Sequence, residues 1–291
     1  MKIGIIGGGS IGLLVAYYLS KQKNQITVYV NREEQKQKIN ESGLYLHACK
    51  EEERVTSLLI NEVKKEDIMF ICVKQYQLSD IWNTVKHIKC PLIFMQNGMG
   101  HVEDLDKLKG LKDVIIASVE HGARRLKDNK VKHNGEGQIK VAFFSGDEKI
   151  LHKIEKKLNS NQFPFIIMDN WFEMLAHKMI INAVINPITA IFQVKNGEII
   201  DNPYLLEICK QLSDEAATVL GLDKEMQWKK VLAVAKNTKN NDSSMKLDIS
   251  SKRRTEIDAI SGYIINCSND DLPYTRFVYN SIKAIELSYF N

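Results

Sequence analysis

Apolar residues in the first half of the chain occur in short continuous runs, separated by segments of helical periodicity. Runs such as 2–6, 26–30 and 68–73 have the length of a strand and are almost wholly apolar, as in strands covered on both faces of a parallel sheet. The intervening segments, such as 13–19 and 77–87, favour helices. This alternation predicts an α/β domain with a doubly wound sheet.

From residue 170 onward the alternation stops and helical patterns take over. The predicted helices of this part are 170–192, 203–221, 225–237, 251–265 and 275–288. We therefore predict an N-terminal Rossmann-type domain over residues 1–168 and an all-helical C-terminal domain over residues 169–291.

Two local patterns make sharper structural predictions. The segment Asn134-Gly135-Glu136-Gly137 lies between two short alternating stretches and predicts a hairpin turn. Pro187 disfavours helical geometry at the preceding residue, Asn186, so the helix that begins near residue 170 is expected to end or kink there.

A glycine motif follows the first predicted strand and opens the first predicted helix. It reads Gly7-Gly8-Gly9-Ser10-Ile11-Gly12, which is G-x-G-x-x-G in the context that dinucleotide-binding proteins require. Gly7 permits the tight turn, Gly9 lets a pyrophosphate approach the backbone, and Gly12 lets the helix pack against the sheet. The amides of the helix N-terminus favour phosphate binding.

The end of the second predicted strand bears on the choice of cofactor. NAD-specific sites usually carry an acidic residue there, whereas this strand ends at Asn31-Arg32, and an arginine suits a 2′-phosphate. Lys74, at the end of the strand 68–73, is a second cation at the edge where ligands of parallel sheets collect. These residues predict NADP, although Glu33 or Glu34 could instead reach the ribose, and Arg32 could be an ordinary solvated residue.

The apolar segment 171–190 is the most informative part of the helical half. Lys178, Asn182 and Asn186 recur at intervals of four, which places them on one face of a helix that is otherwise apolar. Because a buried ammonium or amide needs a partner, this stripe faces water, a polar network or a ligand. A solvated groove edge and a structural lysine network are the alternatives to a catalytic role.

Composition narrows the class of protein. The chain has 291 residues and a net charge of +4, with 40 Lys and Arg dispersed among 36 acidic residues, and it lacks the basic tract of a nucleic-acid-binding arm. Apolar runs fall short of the roughly 18 residues that span a bilayer, and the N-terminus leads directly into a strand, so we expect a cytoplasmic protein without membrane segments. Five scattered cysteines and the histidine spacing give no basis for a metal site.

Taken in order, five segments resemble ketopantoate reductase (2-dehydropantoate 2-reductase): GGGSIG, VKQYQLSD, QNGMG, the helix with Lys178 and its two asparagines, and SSMKLDISSKRRTEIDA at 243–259. The resemblance runs from residue 1 to the last helices. It implies reduction of ketopantoate to pantoate with NADPH, in the biosynthesis of pantothenate and coenzyme A. It also implies a Rossmann domain followed by a helical domain, with the active site in the cleft between them.

By position, the resemblance assigns roles to individual residues. It implies that Lys178 is the general acid on the keto oxygen and that Glu256 lies near the substrate hydroxyl and the cofactor ribose. Asn97 matches a residue that touches both substrate and cofactor. The remaining implied substrate contacts are Asn182, Asn186, Asn196 and Ser244. The remaining implied cofactor contacts are Gly7, Gly8, Gly9, Ser10, Ile11, Gly12, Arg32, Lys74 and Ala123.

Alternatives to this function remain open at the level of sequence. The protein could be an NADP-dependent reductase of another 2-oxo acid, because the sequence does not show the shape of the pocket. It could also be a non-enzymatic NADP-binding sensor, although a sensor needs no proton donor such as Lys178. The sequence leaves the oligomeric state undefined, and a homodimer formed through the helical domain is compatible with it.

Overall fold

A computed structural model describes residues 1–47, 49 and 51–290, without the side chain of residue 290. The chain forms two compact units, which are Met1–Gln96 with His101–Met174, and Asn97–Gly100 with Leu175–Asn291. We call them the sheet unit and the helical unit. The four residues Asn97–Gly100 belong to the helical unit, although the segments on either side of them belong to the sheet unit. The predicted domain boundary at residue 168 stays a prediction.

The strands of the sheet unit are close to those predicted. They are β1 Lys2–Ile6, β2 Gln25–Val30, β3 Leu44–Leu46, β4 Glu52–Glu53, β5 Thr56–Leu59, β6 Ile68–Ile71, β7 Leu92–Phe94, β8 Val114–Val119, β9 Gly122–Lys127, β10 Lys130–Gly135, β11 Ile139–Ser145 and β12 Phe165–Met168. The larger sheet has the order β12-β11-β8-β7-β6-β1-β2-β5, and the smaller sheet has the order β4-β3-β10-β9.

The larger sheet is parallel except where β11 runs antiparallel to β8. Its central strands β6, β7 and β8 are buried at every position, which explains why their sequences are apolar throughout. Strand order reverses direction around β1, so the carboxyl ends of β1 and β6 lie at a topological switch point, where open α/β sheets bind ligands. The predicted α/β fold class with a parallel sheet is confirmed.

The helices are α1 Ser10–Lys21, α2 Glu33–Ser42, α3 Leu78–Val85, α4 Val102–Asp106, α5 Lys149–Leu158, α6 Trp171–Phe192, α7 Glu198–Asp201, α8 Pro203–Val219, α9 Lys224–Asn237, α10 Ser244–Ser250, α11 Tyr263–Asn266 and α12 Pro273–Phe290. A π-helical turn, Asp258–Gly262, leads into α11. Helices α7 to α12 belong to the helical unit, as does α6 from residue 175 onward, so the prediction of a helical C-terminal part is confirmed.

Helix α6 continues through Pro187 to Phe192, so the predicted end of the helix at Asn186 is wrong, while a kink there stays a prediction. Proline removes one backbone hydrogen bond, but the surrounding residues 183–190 are all buried, and burial of apolar side chains offsets that loss.

Helix α6 is also long and apolar enough to cross a membrane, contrary to the expectation that no segment reaches that length. Because 67% of its most apolar window is buried within the protein, α6 also fits a core helix of a soluble protein.

The hairpin of the smaller sheet turns at Asp128-Asn129, between β9 and β10, so the predicted turn at 134–137 is wrong. The glycines of that segment serve another purpose. A Cβ at Gly137 would lie 2.6 Å from the carbonyl oxygen of Glu120, so glycine is needed where the chain passes from the smaller sheet into β11. The turn at Asp128-Asn129 was not predicted because no glycine marks it. Aspartate and asparagine are also common turn residues, but here they lie between two lysines.

The predicted helix 251–265 is wrong over its first turns, because α10 ends at Ser250 and helical structure resumes only near residue 258. Lys252 has φ +50°, and the Lys252 and Arg253 amides donate to the carbonyl oxygens of Ile249 and Asp248. This pattern is a Schellman motif with lysine at the left-handed position that glycine usually occupies. The end of this helix could not be predicted from the sequence, because the glycine that normally marks it is missing.

A buried histidine, His121, and a half-buried one, His133, are in contact in the sheet unit and are expected to make stability depend on pH. The Gly137 amide donates to His121 Nδ1 (3.1 Å), so this nitrogen acts as an acceptor, and His133 Nε2 lies 3.1 Å from it. The Tyr18 hydroxyl contacts His133 Nδ1 (2.9 Å). Burial, and secondarily the neighbouring His133, lowers the pKa of His121 from 6.5 to about 4, while nearby Glu120 opposes the shift.

We therefore expect the free energy of unfolding to fall as the pH drops from about 6.5 towards 4, because the unfolded chain binds a proton at His121 before the folded protein does. Urea unfolding at a series of pH values measures this slope. His121→Asn should flatten the slope, whereas His152→Asn, at an exposed position on α5, should leave it unchanged. Equal slopes for the wild type and His121→Asn would contradict the assignment.

Candidate functional site

The loop between β1 and α1 has the geometry that the glycine motif predicts. Gly7 has φ +112°, and a Cβ there would lie 2.9 Å from the backbone of Cys72 and Val73 at the end of β6. A Cβ at Gly12 would lie 1.9 Å from the Gly7 carbonyl oxygen, so the helix could not start so close to the loop with any other residue. Both glycines are required by close packing of the backbone.

Gly9 has a different role, because a Cβ there would meet no atom within 4 Å. It precedes the 12-residue helix α1, whose first-turn amides belong to Ser10, Ile11 and Gly12. Open space beside a helix N-terminus accommodates an anion, since the amides and the helix dipole both favour negative charge there. The loop therefore fits the pyrophosphate of a dinucleotide.

Arg32 follows β2, as predicted, but it is bound to a residue that the sequence analysis missed. Its guanidinium forms an ion pair with Asp128 in the turn between β9 and β10. Gln35 Nε2 donates both to the Gly8 carbonyl oxygen (2.8 Å) and to the Asp128 carbonyl oxygen (2.9 Å). Arg125 Nη1 donates to the same Gly8 oxygen (3.3 Å). The end of β2, the glycine loop and the β9–β10 turn are thus joined.

In the helical unit, three predicted site residues from distant parts of the sequence form one hydrogen-bonded chain. Lys178 Nζ on α6 donates to Asn97 Oδ1 (2.9 Å), and Asn97 Nδ2 donates to Glu256 Oε2 (3.0 Å). The Asn97 side chain thereby has a defined orientation, with its oxygen towards the ammonium and its nitrogen towards the carboxylate. Glu256 is buried, while Lys178 and Asn97 are half-buried.

The backbone next to Asn97 explains how it reaches this position. Gly98 has φ +76°, and a Cβ there would lie 2.2 Å from the carbonyl oxygen of Ala259 in the π-helical turn. The loop therefore packs directly on the backbone that follows Glu256. On the other side of Glu256, the Thr255 amide donates to the buried carboxylate of Glu286 on α12 (2.6 Å). Both contacts fix the segment that carries Glu256.

Comparison with known proteins identifies the family of this chain. The family description "Ketopantoate reductase PanE/ApbA" matches residues 3–146, and its C-terminal counterpart matches residues 170–286. A 2-dehydropantoate 2-reductase of Bacillus subtilis (strain 168) is 40% identical, over 98% of this chain and 98% of its own. The chain belongs to the ketopantoate reductase family.

Solved structures show the same fold. A crystal structure of a probable 2-dehydropantoate 2-reductase from Bacillus subtilis has a TM-score of 0.88 and 38% identity, covering 98% of this chain and 100% of its own. A ternary structure of D-mandelate dehydrogenase with NADH and anilino(oxo)acetate has a TM-score of 0.93 over 100% of both chains, at 23% identity. Both structures share the fold of this chain.

The predicted cofactor residues Lys74 and Ala123 lie in the sheet unit. Lys74 follows β6 and is partly exposed, and its backbone amide donates to Gln77 Oε1 (3.2 Å). Ala123 lies on β9, opposite His133 of β10, and is therefore part of the smaller sheet. It shares that strand with Arg125, which contacts Gly8. Cofactor contacts by Lys74 and Ala123 stay predictions.

The other predicted substrate residues differ in their exposure. Asn182 is half-buried, and Asn186 is buried on the same face of α6 as Lys178. Asn196 is buried, and its Nδ2 donates to Thr238 Oγ1 at the end of α9 (2.9 Å). Ser244 is exposed at the start of α10. Roles in substrate binding stay predictions for all four.

Two residues with hydroxyl side chains, Thr189 and Ser243, lie beside the polar face of α6 and were not predicted from the sequence. Thr189 extends the polar face of α6, and its Oγ1 donates to Ser243 Oγ (2.7 Å), although both residues are buried. Ser243 in turn caps α10 by accepting from the Lys246 amide (3.1 Å). The spacing of Thr189, three residues after Asn186, could have indicated the first of them.

Across residues 1–47, 49 and 51–290, no group of three or more His, Cys, Asp or Glu side chains could hold a metal ion.

Proposed function

We propose that this protein reduces 2-dehydropantoate to pantoate with NADPH, a step in the biosynthesis of pantothenate and coenzyme A. The observation that carries the proposal is the hydrogen-bonded chain from Lys178 through Asn97 to Glu256. The neutral amide of Asn97 lies between the Lys178 ammonium, which can donate a proton, and the buried Glu256 carboxylate. The Bacillus subtilis relative, 40% identical, is named 2-dehydropantoate 2-reductase and supports the same substrate.

Each residue has a role that follows from its charge. Reduction of a ketone builds negative charge on the carbonyl oxygen, and the Lys178 ammonium stabilises that charge and donates the proton. Asn97 holds the ammonium in place through its Oδ1. The Glu256 carboxylate accepts from a hydroxyl group of the substrate. Asn182, Asn186, Asn196 and Ser244 bind the substrate carboxylate and hydroxyl without adding a competing charge.

The bound nicotinamide cofactor supplies the hydride. The loop Gly7–Gly12 holds its pyrophosphate, for which Gly9 and the N-terminus of α1 leave open space. Arg32 and Lys74 hold the 2′-phosphate, since charge-assisted hydrogen bonds to a phosphate are stronger than those to a neutral hydroxyl. Ala123 and Asn97 are further cofactor contacts, and Glu256 lies near the ribose. We therefore propose NADPH as the preferred cofactor.

The direct test mixes the purified protein with NADPH and 2-dehydropantoate and follows absorbance at 340 nm. Absorbance should fall, and pantoate should accumulate in equal amount. Parallel reactions with pyruvate, 2-oxoisovalerate and phenylglyoxylate compare other 2-oxo acids. Faster turnover of one of these acids would replace ketopantoate as the substrate but retain the reaction type. Consumption of none of the acids would support a non-enzymatic NADP-binding protein instead.

Glu256 offers a separate prediction about substrate binding. Glu256→Gln preserves the shape of the buried side chain but removes its charge, so the KM for the keto acid should rise by about tenfold, because a charge-assisted hydrogen bond becomes a neutral one. Steady-state kinetics with saturating NADPH measure this change. Glu207→Gln, at an exposed position of α8 in the same unit, is the matched control. An unchanged KM with a lowered melting temperature would indicate a purely structural carboxylate.

A homodimer and a cytoplasmic location complete the proposal. Apolar side chains on α8 and α12 are compatible with self-association, because Tyr204, Phe277 and Leu287 are exposed. Sedimentation velocity of the purified protein tests the dimer, and fractionation of cells tests the location.

A further inference from the structure

The turn between β9 and β10 places a carboxylate beside the predicted phosphate-binding arginine. Asp128 forms an ion pair with Arg32, and its Oδ1 lies 3.7 Å from Arg125 Nη1. All three side chains are partly exposed, at 31% for Asp128, 44% for Arg32 and 42% for Arg125. The local charge is therefore two guanidinium groups and one carboxylate, accessible to a ligand from solvent.

The position of Asp128 is fixed relative to the glycine loop. One side-chain nitrogen of Gln35 binds both the Asp128 and the Gly8 carbonyl oxygens, and Arg125 binds that same Gly8 oxygen. These bonds involve the backbone of Asp128 and not its carboxylate. A change confined to the carboxylate therefore alters the charge beside Arg32 while the turn keeps its anchoring contacts.

A carboxylate in this place acts differently on the two nicotinamide cofactors. The 2′-phosphate of NADPH must share the Arg32 guanidinium with Asp128 and also meets its negative charge, which costs binding free energy. The ribose of NADH carries a neutral 2′-hydroxyl, which can donate to a carboxylate. The β9–β10 turn thus places an acidic residue, Asp128, beside the end of β2, where the chain itself carries Asn31 and Arg32.

We propose that Asp128 determines cofactor specificity by competing with the 2′-phosphate for Arg32, so that it limits the preference for NADPH over NADH. This inference rests on the proposed cofactor site, and it is independent of which keto acid is reduced. Arg125, 3.7 Å from the same carboxylate, is the second cation that becomes available to the phosphate when Asp128 is neutralised.

The test measures the Kd of NADPH and of NADH by fluorescence titration without keto acid, in the wild type and in Asp128→Asn. Asparagine is isosteric and equally suited to a turn, so the fold should persist. The Kd for NADPH should fall about three- to tenfold, and its dependence on salt should steepen, as expected for a partly exposed charge. The Kd for NADH should stay unchanged or rise.

Asp106→Asn is the matched control, because Asp106 also forms a partly exposed ion pair in the sheet unit, with Lys109. It should leave both Kd values unchanged. Weaker NADPH binding by Asp128→Asn would mean that Asp128 orients Arg32, which would overturn the proposal, as would equal changes for both cofactors. The protein could also fail to reduce 2-dehydropantoate while Asp128→Asn still changes the ratio of the NADPH Kd to the NADH Kd. That result would support this inference and reject the proposed reaction.

Discussion

Replacement of Lys178 by alanine should lower kcat for ketone reduction by about 10²–10⁴, the range typical for loss of a general acid. The alanine variant lacks the ammonium that Asn97 Oδ1 accepts from, so the carbonyl oxygen gains charge without a proton donor beside it. NADPH affinity should persist, because the proposed phosphate contacts Arg32 and Lys74 are unchanged. Stopped-flow single turnovers with saturating NADPH measure the chemical step directly.

Two further variants separate chemistry from structure at this position. Lys178→Arg keeps the charge but should restore only part of the rate, because a guanidinium is a poor acid at neutral pH. Lys229→Ala removes an exposed lysine from the same helical unit and should leave kcat unchanged. The wild-type rate should also decline at high pH as the ammonium loses its proton. A Lys178→Ala enzyme that retains kcat within about threefold of the wild type would refute the assignment.

Arg32→Ala should raise the KM for NADPH by about ten- to a hundredfold and leave the KM for NADH nearly unchanged, because charge-assisted contacts to a phosphate contribute about 1.5–3 kcal/mol. The ion pair with Asp128 places the effect towards the lower end of that range, since part of the positive charge is already neutralised. Steady-state kinetics with each cofactor, at a saturating concentration of the keto acid, provide the measurement.

Arg54→Ala is the matched control for this variant, since Arg54 is also ion-paired in the sheet unit, with Glu52, and partly exposed. It should change neither KM. If the wild type used NADPH and NADH equally well, the proposed role of Arg32 would be wrong. A similar rise in KM for both cofactors would instead indicate that Arg32 maintains the shape of the loop.

Features encoded by neighbouring residues were predictable from the sequence. The motif from Gly7 to Gly12 lies between a strand and a helix, and Gly7 and Gly12 each meet a steric requirement of that junction. The continuous apolar character of β6 identified a buried parallel strand. The interval of four residues between Lys178 and Asn182 identified a shared helix face. In each case the residues that cause the structural feature lie within a few positions of one another in the sequence.

Features that depend on tertiary contacts were missed. Pro187 stays helical because its neighbours are buried, and Lys252 ends a helix in a conformation normally left to glycine. Asp128 meets Arg32 across 96 positions of sequence, and only the pairing of β9 with β10 brings it there. Asn97 and Glu256 are 159 positions apart, and their proximity followed from family resemblance alone. A single sequence carries no local trace of such contacts.

The contact between Gly98 and the Ala259 carbonyl oxygen limits how this enzyme can be re-engineered. A side chain at position 98 would require both a strained positive φ and the displacement of neighbouring main chain, since its Cβ would lie 2.2 Å from that oxygen. The position of Asn97 is therefore set by packing of main chain against main chain. A neighbouring side chain could not make room for a larger residue at position 98 by changing its rotamer, because the clash would be with a backbone oxygen. A library that seeks reduction of bulkier oxo acids should vary Asn182 on α6 and keep residues 97, 98 and 178 constant.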